Sequence, residues 1–408
     1  MSRALRALLA ALLASLLAAC GGGRSADDPT QATPPAATPQ QIAHGAYLAT
    51  LGNCAGCHTM PGGAAYAGGR GLATPFGMVY AGNLTPDAAT GLGRWSAEDF
   101  WRALHHGRSR DGRRLLPAFP YTAFTQVRRE DSDALFAYLR SLPPVNRTNT
   151  AHALRFPYDT PAAIAVWQWL FFTPGTPPPA AADADPVARG AYLVNGLGHC
   201  AACHAPRNVL GASSAAPAGG DILGQPWYAP SLHPSAGRRA SADELVQLLR
   251  SGRNALDSAT GPMAAVIFRS TQHWKDADLQ AVAAYLTRLQ PQPADDPPEP
   301  ASPAQLLRGG ELYGRHCADC HGQRGEGRAG AYPPLAGNAT VQQPGARNLV
   351  QLMRHGSFAP ATAANPQPYS MPHAGLDTRD MAAVASYVRQ SWGNRASAVD
   401  EIDVLKLQ

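Results

Sequence analysis

The triplet Cys-x-x-Cys-His occurs three times in these 408 residues: Cys54-Ala55-Gly56-Cys57-His58, Cys200-Ala201-Ala202-Cys203-His204 and Cys317-Ala318-Asp319-Cys320-His321. Two thiols three positions apart on a helical turn can add to the two vinyl groups of one porphyrin, and the adjacent histidine reaches the iron from the same side. Zinc is the competing ligand, but it prefers four Cys/His donors in a closed tetrahedron. Six of the seven cysteines lie in the motifs and the seventh is Cys20, which leaves no spare thiol for such a site or for a disulfide. The spacing therefore predicts three covalently bound haem c groups on Cys54, Cys57, Cys200, Cys203, Cys317 and Cys320. His58, His204 and His321 are then the proximal iron ligands.

The motifs sit in a larger repeat. Each follows a similar lead-in, Gly45-Ala46-Tyr47-Leu48, Gly190-Ala191-Tyr192-Leu193 or Gly309-Gly310-Glu311-Leu312-Tyr313, read as a short helix. Loops echo one another at Tyr80 to Pro86, Tyr228 to Pro234 and, in shorter form, Tyr332 to Leu335. A second helix follows, with capping boxes at Ser96 to Asp99 and Ser241 to Glu244 and stop glycines at Gly107, Gly252 and Gly356. A third helix closes each unit around Tyr138, Tyr285 and Tyr387. The pattern predicts an all-α chain with helical domains at 41–141, 186–290 and 303–393, followed by a C-terminal tail at 394–408.

Between them, 21–40 reads as a flexible tether and 291–302 as a Pro-rich, acidic, extended linker. The connecting segment 142–185 differs. It holds the apolar run Ala162 to Phe172, with Trp167, Trp169, Phe171 and Phe172, too short to cross a bilayer. Packing between the first two domains is the primary reading, and a surface meeting the membrane or a partner subunit is the alternative.

At the N-terminus, Arg3 and Arg6 precede the apolar run Ala7 to Ala19, the pattern of an export signal over residues 1–20. Its end, Leu17-Ala18-Ala19-Cys20, resembles the lipobox of bacterial lipoproteins, in which the cysteine becomes a diacylglyceryl-modified first residue. The alternative is an ordinary signal with Cys20 incidental. Lipidation predicts a chain anchored at the periplasmic side of the cell membrane. Losing the two leader arginines takes the formal charge from +5 to +3, and no Lys/Arg run with interleaved aromatics points to nucleic acid.

Repeat alignment locates the sixth iron ligand in two units. Met263, in Gly261-Pro262-Met263, and Met371, in Tyr369-Ser370-Met371-Pro372, each stand before the closing helix and are the expected axial thioethers. A methionine filling a core gap is the bland alternative. The first unit has Pro117-Ala118-Phe119-Pro120-Tyr121 in that slot, and a phenyl ring cannot ligate iron. Met78, Met60, His105 and His106 are candidates there, with a helix-end role favoured for His106, and the position stays unassigned.

These residues resemble the three-haem cytochrome c subunits of bacterial membrane-bound dehydrogenases, whose fold is a tandem of class I cytochrome c domains. The likeness rests on Thr74-Pro75-Phe76-Gly77, Asn83-Leu84-Thr85-Pro86-Asp87 and Gly91-Leu92-Gly93-Arg94-Trp95 in the first unit. It continues through Ala191-Tyr192-Leu193 and His204-Ala205-Pro206-Arg207-Asn208 to Ser391-Trp392-Gly393. The resemblance implies a dehydrogenase partner, either a quinoprotein, a flavoprotein or a molybdenum hydroxylase. Alcohol-dehydrogenase members typically carry methionine where Phe119 stands, and the phenylalanine form is similar to the branch that accompanies molybdenum hydroxylases. The expected function is single-electron relay toward ubiquinone, a terminal oxidase or a soluble carrier. A peroxidase-like haem enzyme using an open first haem is the rival, and a terminal-oxidase cytochrome subunit the third reading.

Overall fold

Glycines mark where the helices of each repeat cross. In the first unit, α1 (Pro39–Leu51) leads into α2 (Cys54–His58), and β1 (Gly71–Thr74) and β2 (Gly77–Tyr80) form a hairpin. There follow α3 (Ala97–His106), α4 (Tyr121–Phe124) and α5 (Arg129–Ser141). Helix α1 packs on α5 through Gly45, where a Cβ would collide with the Ala134 carbonyl and the Tyr138 side chain. The close approach seats Leu48, Leu51, Leu135 and Leu139 in a core. The connecting segment adds β3 (Ala153–Leu154), which extends the hairpin, and α6 (Pro161–Phe171), whose first turn is capped by Thr160.

The second unit repeats the plan with α7 (Pro186–Asn195), α8 (Ala201–His204), β4 (Gly220–Asp221), β5 (Tyr228–Ala229), α9 (Ala242–Ser251), α10 (Gly261–Arg269) and α11 (Asp276–Leu286). The third has α12 (Pro303–His316), α13 (Ala318–His321), α14 (Arg347–His355), β6 (Ser357–Phe358), β7 (Ser370–Met371), α15 (Thr378–Gln390) and α16 (Glu401–Lys406). Gly190 meets Ala281 and Tyr285, and Gly309 meets Ala383 and Tyr387, just as Gly45 meets its partners. Both capping boxes form, and Gly107, Gly252 and Gly356 end their helices at φ of 60°, 81° and 70°. Positive φ is open to glycine without steric cost. Among the described residues the helices outnumber the strands, which are short and antiparallel.

The computed structural model describes residues 36–214, 216–234, 240–292 and 297–407. The leader, Cys20 and most of the tether lie outside them, as does 293–296 of the Pro-rich linker. Pro39–Gln408 form one compact unit with two cores. The first and second repeats share a core, in which Leu48 and Leu135 of one join Leu193 and Leu279 of the other. The third has its own, built on Leu312, Val350 and Val384. Residues 394–407, read from sequence as a tail, pack into that third core: Val399 and Val404 are buried, and Arg354 donates to the carbonyls of Val404 and Leu407 at 3.0 and 2.8 Å. Among the described residues no helix is long and apolar enough to cross a membrane.

Candidate haem sites

Each motif histidine is held by a backbone carbonyl from the loop that follows it. His58 Nδ1 lies 2.7 Å from Gly82 O, His204 Nδ1 2.6 Å from Pro230 O and His321 Nδ1 3.0 Å from Pro333 O. A carbonyl can only accept, so Nδ1 carries the proton and the Nε2 lone pair is left to bind iron. Burial lowers the pKa of all three imidazoles, against the opposing pull of those carbonyls, which keeps them neutral as ligands must be. The acceptors Gly82, Pro230 and Pro333 belong to the three echoing loops.

The six motif cysteines are not in disulfides. Burial pushes the Cys54 and Cys200 thiols up to about 12 and Cys317 to about 11. Among the described residues no group of three or more His, Cys, Asp and Glu side chains is gathered for a metal ion.

A cavity of about 2270 Å³ opens beside the first motif, lined by Cys54, Cys57 and His58 on one side and by Leu104, Phe119 and Phe124 among others. Small-molecule pockets hold roughly 300 to 1,000 Å³, so a porphyrin fits. The same cavity reaches Cys203 of the second motif. Burial holds that thiol above its usual pKa; Arg207 opposes this, while charge on Cys57 reinforces it. The attachment edges of the first two motifs thus face a common space.

The remaining axial candidates separate on geometry. Phe119 lines the cavity and packs against Phe124, ring centroids 5.3 Å apart. Met60, Met78, His105 and His106 are not among the cavity-lining residues; Met60 Sδ accepts from Arg147 Nη2 at 3.5 Å, and His105 stacks on Trp101. Sequence reasoning missed two histidines that do line it. His152 Nδ1 accepts from the Tyr80 amide at 3.2 Å, and His199 Nε2 is 3.3 Å from Gly52 O. Met263 falls inside α10, and Met371 in β7, where it packs on the third core with Cys317 and Trp392.

Helical units of this plan, each closing a Cys-x-x-Cys-His turn onto an oriented neutral histidine, define a c-type cytochrome. Residues 42–143 and 306–392 match the family described as Cytochrome c, and 185–286 match Cytochrome C oxidase, cbb3-type, subunit III. Over whole chains, the protein is 37% identical to an alcohol dehydrogenase (quinone) cytochrome c subunit of Gluconacetobacter polyoxogenes, across 90% of this chain and 84% of that one. It is 35% identical to the gluconate 2-dehydrogenase cytochrome c subunit of Pantoea cypripedii, across 90% and 89%. A nicotinate dehydrogenase subunit of Pseudomonas putida is 39% identical over 85% of this chain but only 30% of that protein. The chain belongs to the family of cytochrome c subunits of membrane dehydrogenase complexes, and it is an electron-transfer subunit.

Proposed function

We propose that the chain binds three haem c groups, one at each motif, and relays single electrons through them from its dehydrogenase to ubiquinone, a terminal oxidase or a soluble carrier. The observation that carries the reading is the cavity common to Cys57 and Cys203, which supports edge-to-edge transfer between the first two groups. Bound haem supplies the one-electron chemistry, and the protein supplies attachment, orientation and burial. His58, His204 and His321 present Nε2 to iron, while Met263 and Met371 offer thioethers, which raise the potential relative to two nitrogen ligands. Phe119, which stands where alcohol-dehydrogenase members typically carry methionine, favours a molybdenum hydroxylase as partner over a quinoprotein or flavoprotein. Export and lipidation at Cys20 would hold the chain at the periplasmic side of the membrane. Acid-acetone extraction should leave the colour on the protein, and pyridine haemochrome should give three haems per chain; a count of two would remove one motif from the relay.

Phe119 in the cavity favours a second reading, in which the first haem has an open side and takes small ligands or peroxide. A high-spin ferric component that binds cyanide would mark it.

A further inference from the structure

Helix α6 is apolar all round except at Gln168. Its buried residue is Gln168, 4% exposed, while Val166, Trp169 and Leu170 are 55%, 82% and 50% exposed. With Ala162, these form a stripe at positions i, i+4, i+7 and i+8, one face of a helix. The opposite face is fixed. Gln168 Nε2 donates to Gly107 O at 3.2 Å, Arg114 Nη1 donates to Gln168 Oε1 at 2.6 Å, and Trp167 Nε1 donates to Leu210 O at 2.9 Å. An ordered helix therefore displays an apolar side, and contiguous exposed apolar surface marks an interaction site.

The chemistry of the stripe selects its occupant. Residues 160–182 contain no Asp, Glu, Lys or Arg. Protein interfaces are enriched in arginine as well as aromatics and carry a polar rim, whereas a bilayer penalises every charge it must take up. Eleven residues of helix span about 16 Å, too little to cross a bilayer but enough to lie in its surface with Trp169 at headgroup level. Ala162, Val166 and Leu170 belong both to the exposed stripe and to the lining of the first cavity, and Trp169 stands outside it.

We infer that α6 is a membrane-docking helix whose stripe of Ala162, Val166, Trp169 and Leu170 enters the headgroup–acyl boundary of a phospholipid bilayer. Docking lays the rim of the first cavity against the membrane. It is independent of the lipid proposed for Cys20, and the test removes that lipid. Holo-protein carrying Cys20→Ser, with leader residues 1–19 removed, should float with neutral phosphatidylcholine vesicles and remain bound in about 1 M salt, where the Debye length is roughly 3 Å. Trp169→Glu and Trp169→Lys should each lower the partition about tenfold with an unchanged haem spectrum, since Trp169 is exposed and does not line the haem cavity. Leu307→Glu, at an equally exposed position (69%) on α12, should leave it unchanged. Failure of the Cys20→Ser protein to float, or equal flotation of all four proteins, would overturn the inference. So would a Trp169→Glu protein that still floats but no longer co-purifies with the dehydrogenase, or that turns a dimer into a monomer, because the stripe would then belong to a protein contact.

Discussion

Tyr47 on α1 donates its phenol to Asp278 on α11 at 2.6 Å, joining the first and second repeats across 231 residues of sequence. The reverse contact is also made, because Tyr192 on α7 donates to Asp131 on α5 at 2.5 Å. The surroundings match. The amides of Lys275 and Arg128 donate to the two phenol oxygens at 2.9 and 3.2 Å, and the same residues set their cations 4.6 and 4.1 Å from the ring centroids. Arg189 bonds Asp278 and His44 bonds Asp131, each at 2.8 Å. Burial raises the pKa of both phenols, so they stay protonated and remain donors.

Tyr47→Phe and Tyr192→Phe should each destabilise the paired repeats by about 1.5 to 3 kcal/mol, the range for a hydrogen bond to a charged group. Asp278 and Asp131 are buried and would each lose a donor without gaining water. Urea unfolding followed by circular dichroism measures the loss. Stability unchanged in both variants would remove the exchange from the forces holding the repeats together.

Acid should loosen the same seam through Asp183, which takes Arg128 at 3.1 and 2.8 Å and Arg189 at 3.0 Å. Burial opposes ionisation of this carboxyl, but the Arg128 bonds and the Arg189 charge outweigh it and hold the pKa below the ordinary value. A depressed carboxyl contributes stability above its unfolded pKa of roughly 3.9, and loses it as pH falls toward the folded value. The urea midpoint should therefore drop more steeply below about pH 4 in the parent than in Asp183→Asn. Parallel curves would show that Asp183 does not contribute.

Phe119→Met should add one share of the weak near-infrared absorption that accompanies iron–sulfur ligation, and raise the potential of one haem. Met263→Ala or Met371→Ala should each remove a share, and Phe119→Ala none. A parent protein already showing three shares would mean that another methionine reaches the first iron and that Phe119 does not face it.

Features with local causes were readable from sequence. Ser96 and Ser241 announce their helices because the capping bonds span three residues, and the glycines at 107, 252 and 356 end them because only glycine takes positive φ cheaply. The motif histidines were equally plain. Their carbonyl partners were not, since a backbone acceptor has no residue signature, although the loops bearing Gly82, Pro230 and Pro333 were visible as echoes. Tyr47 was read as part of a repeat, but nothing in its neighbourhood names Asp278. Helix α16 escaped for a related reason: six residues have little propensity to be helical alone, and Val404 is held by the third core.

The crossed tyrosine–aspartate contacts have the form of an isologous interface, in which residue i of one subunit touches residue j of the other and the reverse. Here both copies lie on one polypeptide. Two separate one-haem proteins joined this way would dissociate on dilution, whereas covalent linkage fixes the local concentration of one partner about the other. In the relay proposed above, exchange of electrons across this seam would be first-order at any protein concentration.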